Sequence, residues 1–243
     1  MAIVCLLAHG SLSAAEDSED PLRIHLISGS NEYKSAESLP LWQAQLEDRY
    51  NVHVTRSFGE DAGNDLPGLE DLEDADVMVV FARRITLPED QLAKIQAHCE
   101  AGKAVIGIRT ASHAFQNWLE FDNKVLGGDY SGHGGDLDGI RISIVLGKED
   151  HPVLSGVSPW ARSGKLYYND SFAPDTTLLL NATAEAETHP VAWVHKYASE
   201  GRAFYTSMGF PHDFEDPRFQ RLLFNALEWT TDRKLAPARP KIK

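Results

Sequence analysis

At 243 residues, 42% of them hydrophobic, the chain can bury a sizeable core within one α/β domain. Its 36 acidic against 23 basic side chains leave a formal charge of −13, which disfavours an unaided electrostatic grip on nucleic acid or anionic lipid. No apolar run reaches the ~20 residues that a membrane-spanning helix needs, so membrane insertion is not expected.

Residues 2–8 (AIVCLLA) form an apolar block followed by SLSAA and an acidic stretch. This is the pattern of a secretory signal peptide over residues 1–15 with cleavage near Ala15, although no basic residue precedes the apolar block. The expected location is periplasmic or secreted. Removal of that segment leaves Cys99 as the only cysteine, which excludes an internal disulfide and a cysteine-based zinc site. Cys99 itself lies in a helical pattern without an activating neighbour and reads as inert packing.

The apolar run Leu22–Ile27 reads as a strand that ends in a turn at Ser28–Asn31, followed by a helix over 36–50. Residues 52–56 form a second strand and 76–81 (DVMVVF) a third, apolar enough to be buried on both faces. Pro88 opens a helix with acids in its first turn, and Gly102 closes it. Residues 104–108 form a fourth strand, with helical residues expected through Trp118. Strands alternating with helices of this length need crossover connections, which predicts a largely parallel sheet. The segment Gly127–Gly139 is too rich in glycine for an element interior and is expected to be a long loop. Runs 140–146, 177–181, 190–197 and 202–207 read as later strands, some antiparallel, and 216–231 as a helix with an apolar stripe. The proline-rich basic tail, 233–243, is expected to be disordered.

Ligands of open parallel sheets bind beyond the carboxyl ends of the strands. Those ends are polar here: Ser30, Asn31, Glu32 and Tyr33 after the first strand, Arg83 and Arg84 after the third, Arg109, Thr110 and His113 after the fourth, and His212 after the last. His133 sits between glycines that let backbone approach a ligand. Imidazole titrates near neutrality, so His113 and His133 are the candidate acid and base, with Glu32 beside them and Arg109 stabilising negative charge. Ser30, Asn31, Tyr33, Arg83, Thr110, Phe210 and His212 are candidate binding residues. No cofactor is required by this chemistry. A metal held by His133, Asp136 and either His113 or His212 is the alternative.

Four segments, ISGSNEYKSAESLPL (27–41), KAVIGIRTASHAFQNW (103–118), GGDYSGHGGD (127–136) and the block 201–229, resemble the ThuA-like, or trehalose-utilisation, domain. The resemblance spans residues 21–232 as a single domain. It implies a flavodoxin-like, class I glutamine amidotransferase-like three-layer sandwich. It also implies a small-molecule carbohydrate as partner, with trehalose-type disaccharides or their 3-keto derivatives as substrates, and leaves a homo-oligomer open. Amidotransferases of that fold place a nucleophilic cysteine where this chain has Arg109, and a guanidinium cannot carry an acyl group. Many members carry a histidine immediately after the glycine of the late strand. This chain has Phe210 there, an aromatic face suited to a pyranose, and His212 two positions on. The expectation is a sugar or keto-sugar enzyme working by acid/base chemistry, with a non-catalytic sugar-binding module and a metal-dependent hydrolase as rivals.

Overall fold

A computed structural model describes residues 20–198 and 200–238; the expected signal peptide, residues 1–15, lies outside the described residues. The elements run β1 (Leu22–Gly29), α1 (Ser35–Arg49), β2 (Val52–Phe58), β3 (Val77–Ala82), α2 (Glu89–Glu100), β4 (Ala104–Ile108), β5 (Tyr130–His133), β6 (Leu137–Ile144), β7 (Trp160–Gly164), β8 (Tyr167–Asn169), β9 (Thr176–Ala184), β10 (Glu187–Tyr197), β11 (Gly201–Thr206) and α3 (Pro217–Thr231).

Nine strands form one sheet in the order β2-β1-β3-β4-β11-β10-β9-β6-β7. The first five are parallel to one another, the flavodoxin-like order with β11 supplying the fifth strand. The remaining four extend the sheet antiparallel. The parallel half therefore carries the expected architecture, and the antiparallel extension grows from the hairpin-like return of β10 onto β11.

Alternation along the strands sends side chains to two apolar layers. Val77, Val79 and Phe81 of β3 and Ile106 and Ile108 of β4 join Leu39, Trp42 and Leu46 of α1 and Phe219, Leu222 and Leu223 of α3. Met78 and Val80 join Ile95 and Cys99 of α2 on the other side. Every residue of β3 is buried, as its unbroken apolar run demands. Helix α3 begins with Pro217 at its first position, and the Asp216 carboxylate accepts the Arg218 N–H at 2.8 Å, satisfying a donor that the helix itself leaves open.

Three local expectations differ from the structure. No long helix follows β4; a 3-10 turn, Arg109–His113, is followed by chain that pairs with the loop after β3. Ile85 N–H donates to Ala114 O at 2.7 Å and Gln116 N–H to Ile85 O at 2.8 Å, so those backbone groups find partners across the loops and need no helical ones. The glycine-rich segment is not one long loop either. It contains β5, which pairs antiparallel with β8 in a separate two-stranded ribbon, and the start of β6. The irregular register at Tyr130/Gly132 shows where glycine lets the ribbon bend. Residues 233–238, assigned by sequence to a disordered tail, return along the end of α1: Asn51 N–H donates to Ala236 O at 2.8 Å and Ala238 N–H to Arg49 O at 2.9 Å.

Candidate functional site

The carboxyl ends of β1, β3, β4 and β11 meet the β5–β8 ribbon at one edge of the sheet. At its centre lies Arg109, the residue at which β4 turns into its 3-10 helix. It has φ 51°, a left-handed conformation uncommon for a side chain other than glycine or asparagine. The junction of strand and turn makes this residue an elbow, at the position where the sequence resemblance would put an amidotransferase nucleophile. Here it directs a guanidinium inward, with 0% of the residue exposed. One terminal nitrogen donates to the carbonyls of Lys165, at 3.2 Å, and Ser207; the other donates to the Tyr33 hydroxyl at 3.3 Å. The rings of Tyr167, Tyr33 and Phe210 surround it at 4.0, 4.5 and 4.6 Å. Among the described residues no carboxylate pairs with it; aromatic faces and carbonyl dipoles stabilise the charge. Arg109 is thus built into the floor, where it organises three rings, and has no exposed surface to offer a substrate.

Gly209 is required beside it. A Cβ at that residue would lie 2.8 Å from Ile108 Cγ2 and 3.1 Å from Arg109 Cβ. The turn that follows is held by Arg162 on β7 and Asp213. Their paired contacts of 2.8 and 2.7 Å are buried, and Asp213 Oδ2 also accepts the Gly209 and Phe210 N–H groups at 2.8 Å each. Phe210 then packs edge-on against Tyr33 at 5.1 Å, with His212 exposed on its outer side at 5.5 Å.

His113 closes the elbow. Its ring stacks on Tyr130 at 4.5 Å and lies 6.1 Å from Tyr167, and its Nδ1 is 3.1 Å from Ser112 Oγ. Burial, reinforced by the Arg84, Arg83 and Arg109 charges, lowers its pKa to about 3, so the imidazole is neutral at physiological pH. Tyr130 is fixed from below: its N–H donates to Asp122 Oδ2 at 2.7 Å, and burial raises that carboxyl to about 7. His133 lies further out, exposed, 6.0 Å from Tyr167.

Glu32 stands on the rim, 3.4 Å from Lys165 Nζ and 3.8 Å from Arg83 Nε. Partial burial opposes its ionisation, but hydrogen bonding to Tyr33 and the Lys165 and Arg83 charges outweigh burial and lower its pKa. Arg83 also binds Asp61 at 3.1 Å. Ser30 and Thr110 are buried, each with a hydroxyl that lacks a partner. Asn31 reaches away to Glu60 at 3.3 Å.

The predicted residues therefore sort into a buried floor of Arg109, Tyr33, Ser30 and Thr110, a partly open wall of His113, Phe210 and Arg83, and an outer rim of Glu32, His133 and His212. The sequence reading missed Lys165, Tyr130 and Tyr167, which come from the ribbon and the chain leading into it, Asp122, which comes from a helical turn before the ribbon, and the pairing of Asp213, in the turn after β11, with Arg162 on the antiparallel strand β7. Among the described residues no three His, Cys, Asp or Glu side chains are grouped to hold a metal ion, so His133, Asp136 and His113 or His212 are not gathered into the alternative ligand set. Nor is any helix among the described residues long and apolar enough to cross a membrane.

Comparison with known structures places this architecture beside a ThuA-like protein of Parabacteroides merdae, at 20% identity and TM-score 0.69, covering 91% of this chain and 94% of that one. A ThuA-like protein of Bacteroides uniformis aligns at 16% identity and TM-score 0.65, covering 88% and 93%. Part of a β-galactosidase from Bacillus circulans sp. alkalophilus shares the fold at 13% identity and TM-score 0.57, covering 87% of this chain but 31% of that one. No curated protein matches the chain. The family model described as trehalose utilisation matches residues 24–230, nearly the whole described fold, and the chain belongs to that ThuA family.

Proposed function

We propose that the chain acts on a carbohydrate, a disaccharide or its 3-keto derivative, by acid/base chemistry without a covalent nucleophile. The observation that carries this reading is the neutral imidazole of His113, held among aromatic rings at the carboxyl edge, with the ionised carboxylate of Glu32 on the same edge. A neutral imidazole beside a carboxylate can polarise a carbonyl while the carboxylate takes the neighbouring proton. For a 3-keto glycoside, the proton on C2 moves to Glu32 and its electron pair forms an enolate. His113 donates a hydrogen bond to the enolate oxygen. Collapse of the enolate breaks the C1–O bond, forms a C1=C2 double bond and expels the second sugar as an alkoxide, which takes up a proton from His133 or water. Tyr130 and Phe210 supply the ring faces against which a pyranose packs.

Incubation with a panel of disaccharides and their 3-keto derivatives, read by mass spectrometry, tests the reading. Turnover that is lost in both Glu32→Gln and His113→Ala supports it, and undiminished turnover in both variants refutes it. The buried arginine at the elbow, where related folds carry a nucleophile, favours a second reading of sugar binding without turnover. Calorimetric binding with no product would establish that alternative. Export to the periplasm or medium belongs to the same proposal and is tested by sequencing the mature amino terminus; a chain beginning at Met1 or Ala2 would refute it.

A further inference from the structure

In a chain whose acidic residues outnumber its basic ones by 36 to 23, the candidate site gathers positive charge. Arg162 is matched by Asp213, while Arg83 and Lys165 share Asp61 and Glu32. Arg109 and Arg84 have no carboxylate within ion-pair distance among the described residues. These two arginines end adjacent strands, β4 and β3, and both are held in left-handed backbone, at φ 51° and 53°. Left-handed backbone at an arginine costs conformational energy that glycine or asparagine would avoid, and such costs concentrate where a side chain is needed. The Arg84 N–H donates to His113 O at 2.9 Å, which fixes this turn directly against the candidate acid/base residue. Arg109 is fully enclosed, whereas Arg84 is exposed and its cation acts electrostatically on both His113 and Tyr130. The buried, unpartnered hydroxyls of Ser30 and Thr110 add further polar capacity at the same strand ends.

We infer that this site takes an anionic carbohydrate, one carrying a carboxylate or phosphate group, with Arg84 as its principal cationic partner and the unmatched charge of Arg109 favouring it from below. The inference rests on the proposed sugar site and deepens it by naming a substrate class. A guanidinium is well shaped for such a group because its N–H fork matches the two oxygens of a carboxylate or phosphate. Burial of Arg109 keeps its field from being screened as fully as that of a surface charge.

The test is calorimetric titration of the full chain at low and high salt with glucose, glucuronic acid, glucose 1-phosphate, acetate and inorganic phosphate. At least one acidic sugar should bind about tenfold more tightly than glucose at low salt, with the advantage shrinking at high salt. Arg84→Gln should remove that advantage and Arg84→Lys restore part of it, with unchanged thermal melts showing that both variants fold. Which acidic sugar binds identifies the group. Binding should also raise the pKa of His113, followed through its imidazole proton resonances, because an anion offsets the surrounding cations. Equal affinity for glucose and both acidic sugars would overturn the inference while leaving the sugar site intact. Acetate or phosphate binding as tightly as the acidic sugars would support the anion site and overturn its assignment to carbohydrate. Absence of binding by any of the five would overturn the inference, while the disaccharide panel separately decides the proposed sugar site; an acidic-sugar preference unchanged by Arg84→Gln would overturn the role of that residue.

Discussion

Replacing Asp213 by alanine should be among the most damaging single changes at the carboxyl edge. Its carboxylate is 2% exposed and engages the 4% exposed Arg162 side chain through contacts of 2.8 and 2.7 Å. It also satisfies the Gly209 and Phe210 N–H groups. Alanine would leave a buried guanidinium without its counter-ion and two amides without acceptors. Removing one partner of a buried ion pair costs about 3–5 kcal/mol. For a domain of this size each kcal/mol lowers Tm by about 2–4 °C, so a fall of roughly 6–20 °C is expected. Urea unfolding followed by tryptophan fluorescence would give the free energy, and Arg162→Met with the double variant would complete a cycle. The double variant should recover part of the loss, because methionine leaves no buried charge, but not all of it, because both amides remain unsatisfied. A loss below about 1 kcal/mol in Asp213→Ala, or strictly additive single effects, would refute the reasoning that the pair is enclosed and coupled.

His25 is hydrogen-bonded to Thr55 and Ser57 and His98 to Ala104 O, and burial lowers the pKa of both to about 4. Between pH 6.5 and 4 the unfolded chain binds protons that the folded chain refuses, so stability is present above pH 6.5 and is lost as pH falls. The loss should be on the order of 3 kcal/mol per histidine by pH 4. Unfolding free energy measured across that range should flatten in His98→Gln, and an unchanged slope would refute the assignment. Gly127→Ala places a Cβ 2.4 Å from Thr176 Oγ1 and 2.6 Å from His195 Cγ at φ 80°, so a loss of about 2 kcal/mol or more is expected by denaturant unfolding. Burial raises the Cys99 thiol to about 12, so a disulfide reagent should label it only on unfolding; rapid labelling of Cys99 in the native chain, located by peptide mapping, would contradict its enclosure.

Much of the parallel half was legible from sequence because each of its strands reports its own environment. The run over 76–81 is apolar at nearly every position because β3 is covered on both faces, and Pro88 and Gly102 bracket α2 through backbone preferences that act locally. The site was legible to the extent that strand ends in such a sheet converge, which gathers Tyr33, Arg109 and His113 within one edge. The roles of its members were less legible. Arg109 reads the same in sequence whether its guanidinium faces a ligand or is surrounded by Tyr33, Tyr167 and Phe210. Only the rings brought in from distant segments make it a floor residue.

The sequence by itself determined the alternating α/β pattern, the four strand ends that bear polar groups and the absence of a cysteine at the elbow, since these depend on local periodicity, backbone preference and residue identity. Tertiary structure alone decided that β11 completes the parallel order, that a glycine-rich stretch folds into a ribbon over His113, and that Arg162 and Asp213 pair across 51 residues. Those outcomes depend on hydrogen bonds and burial between segments far apart in the chain, where the environment of each group is created only when the other arrives.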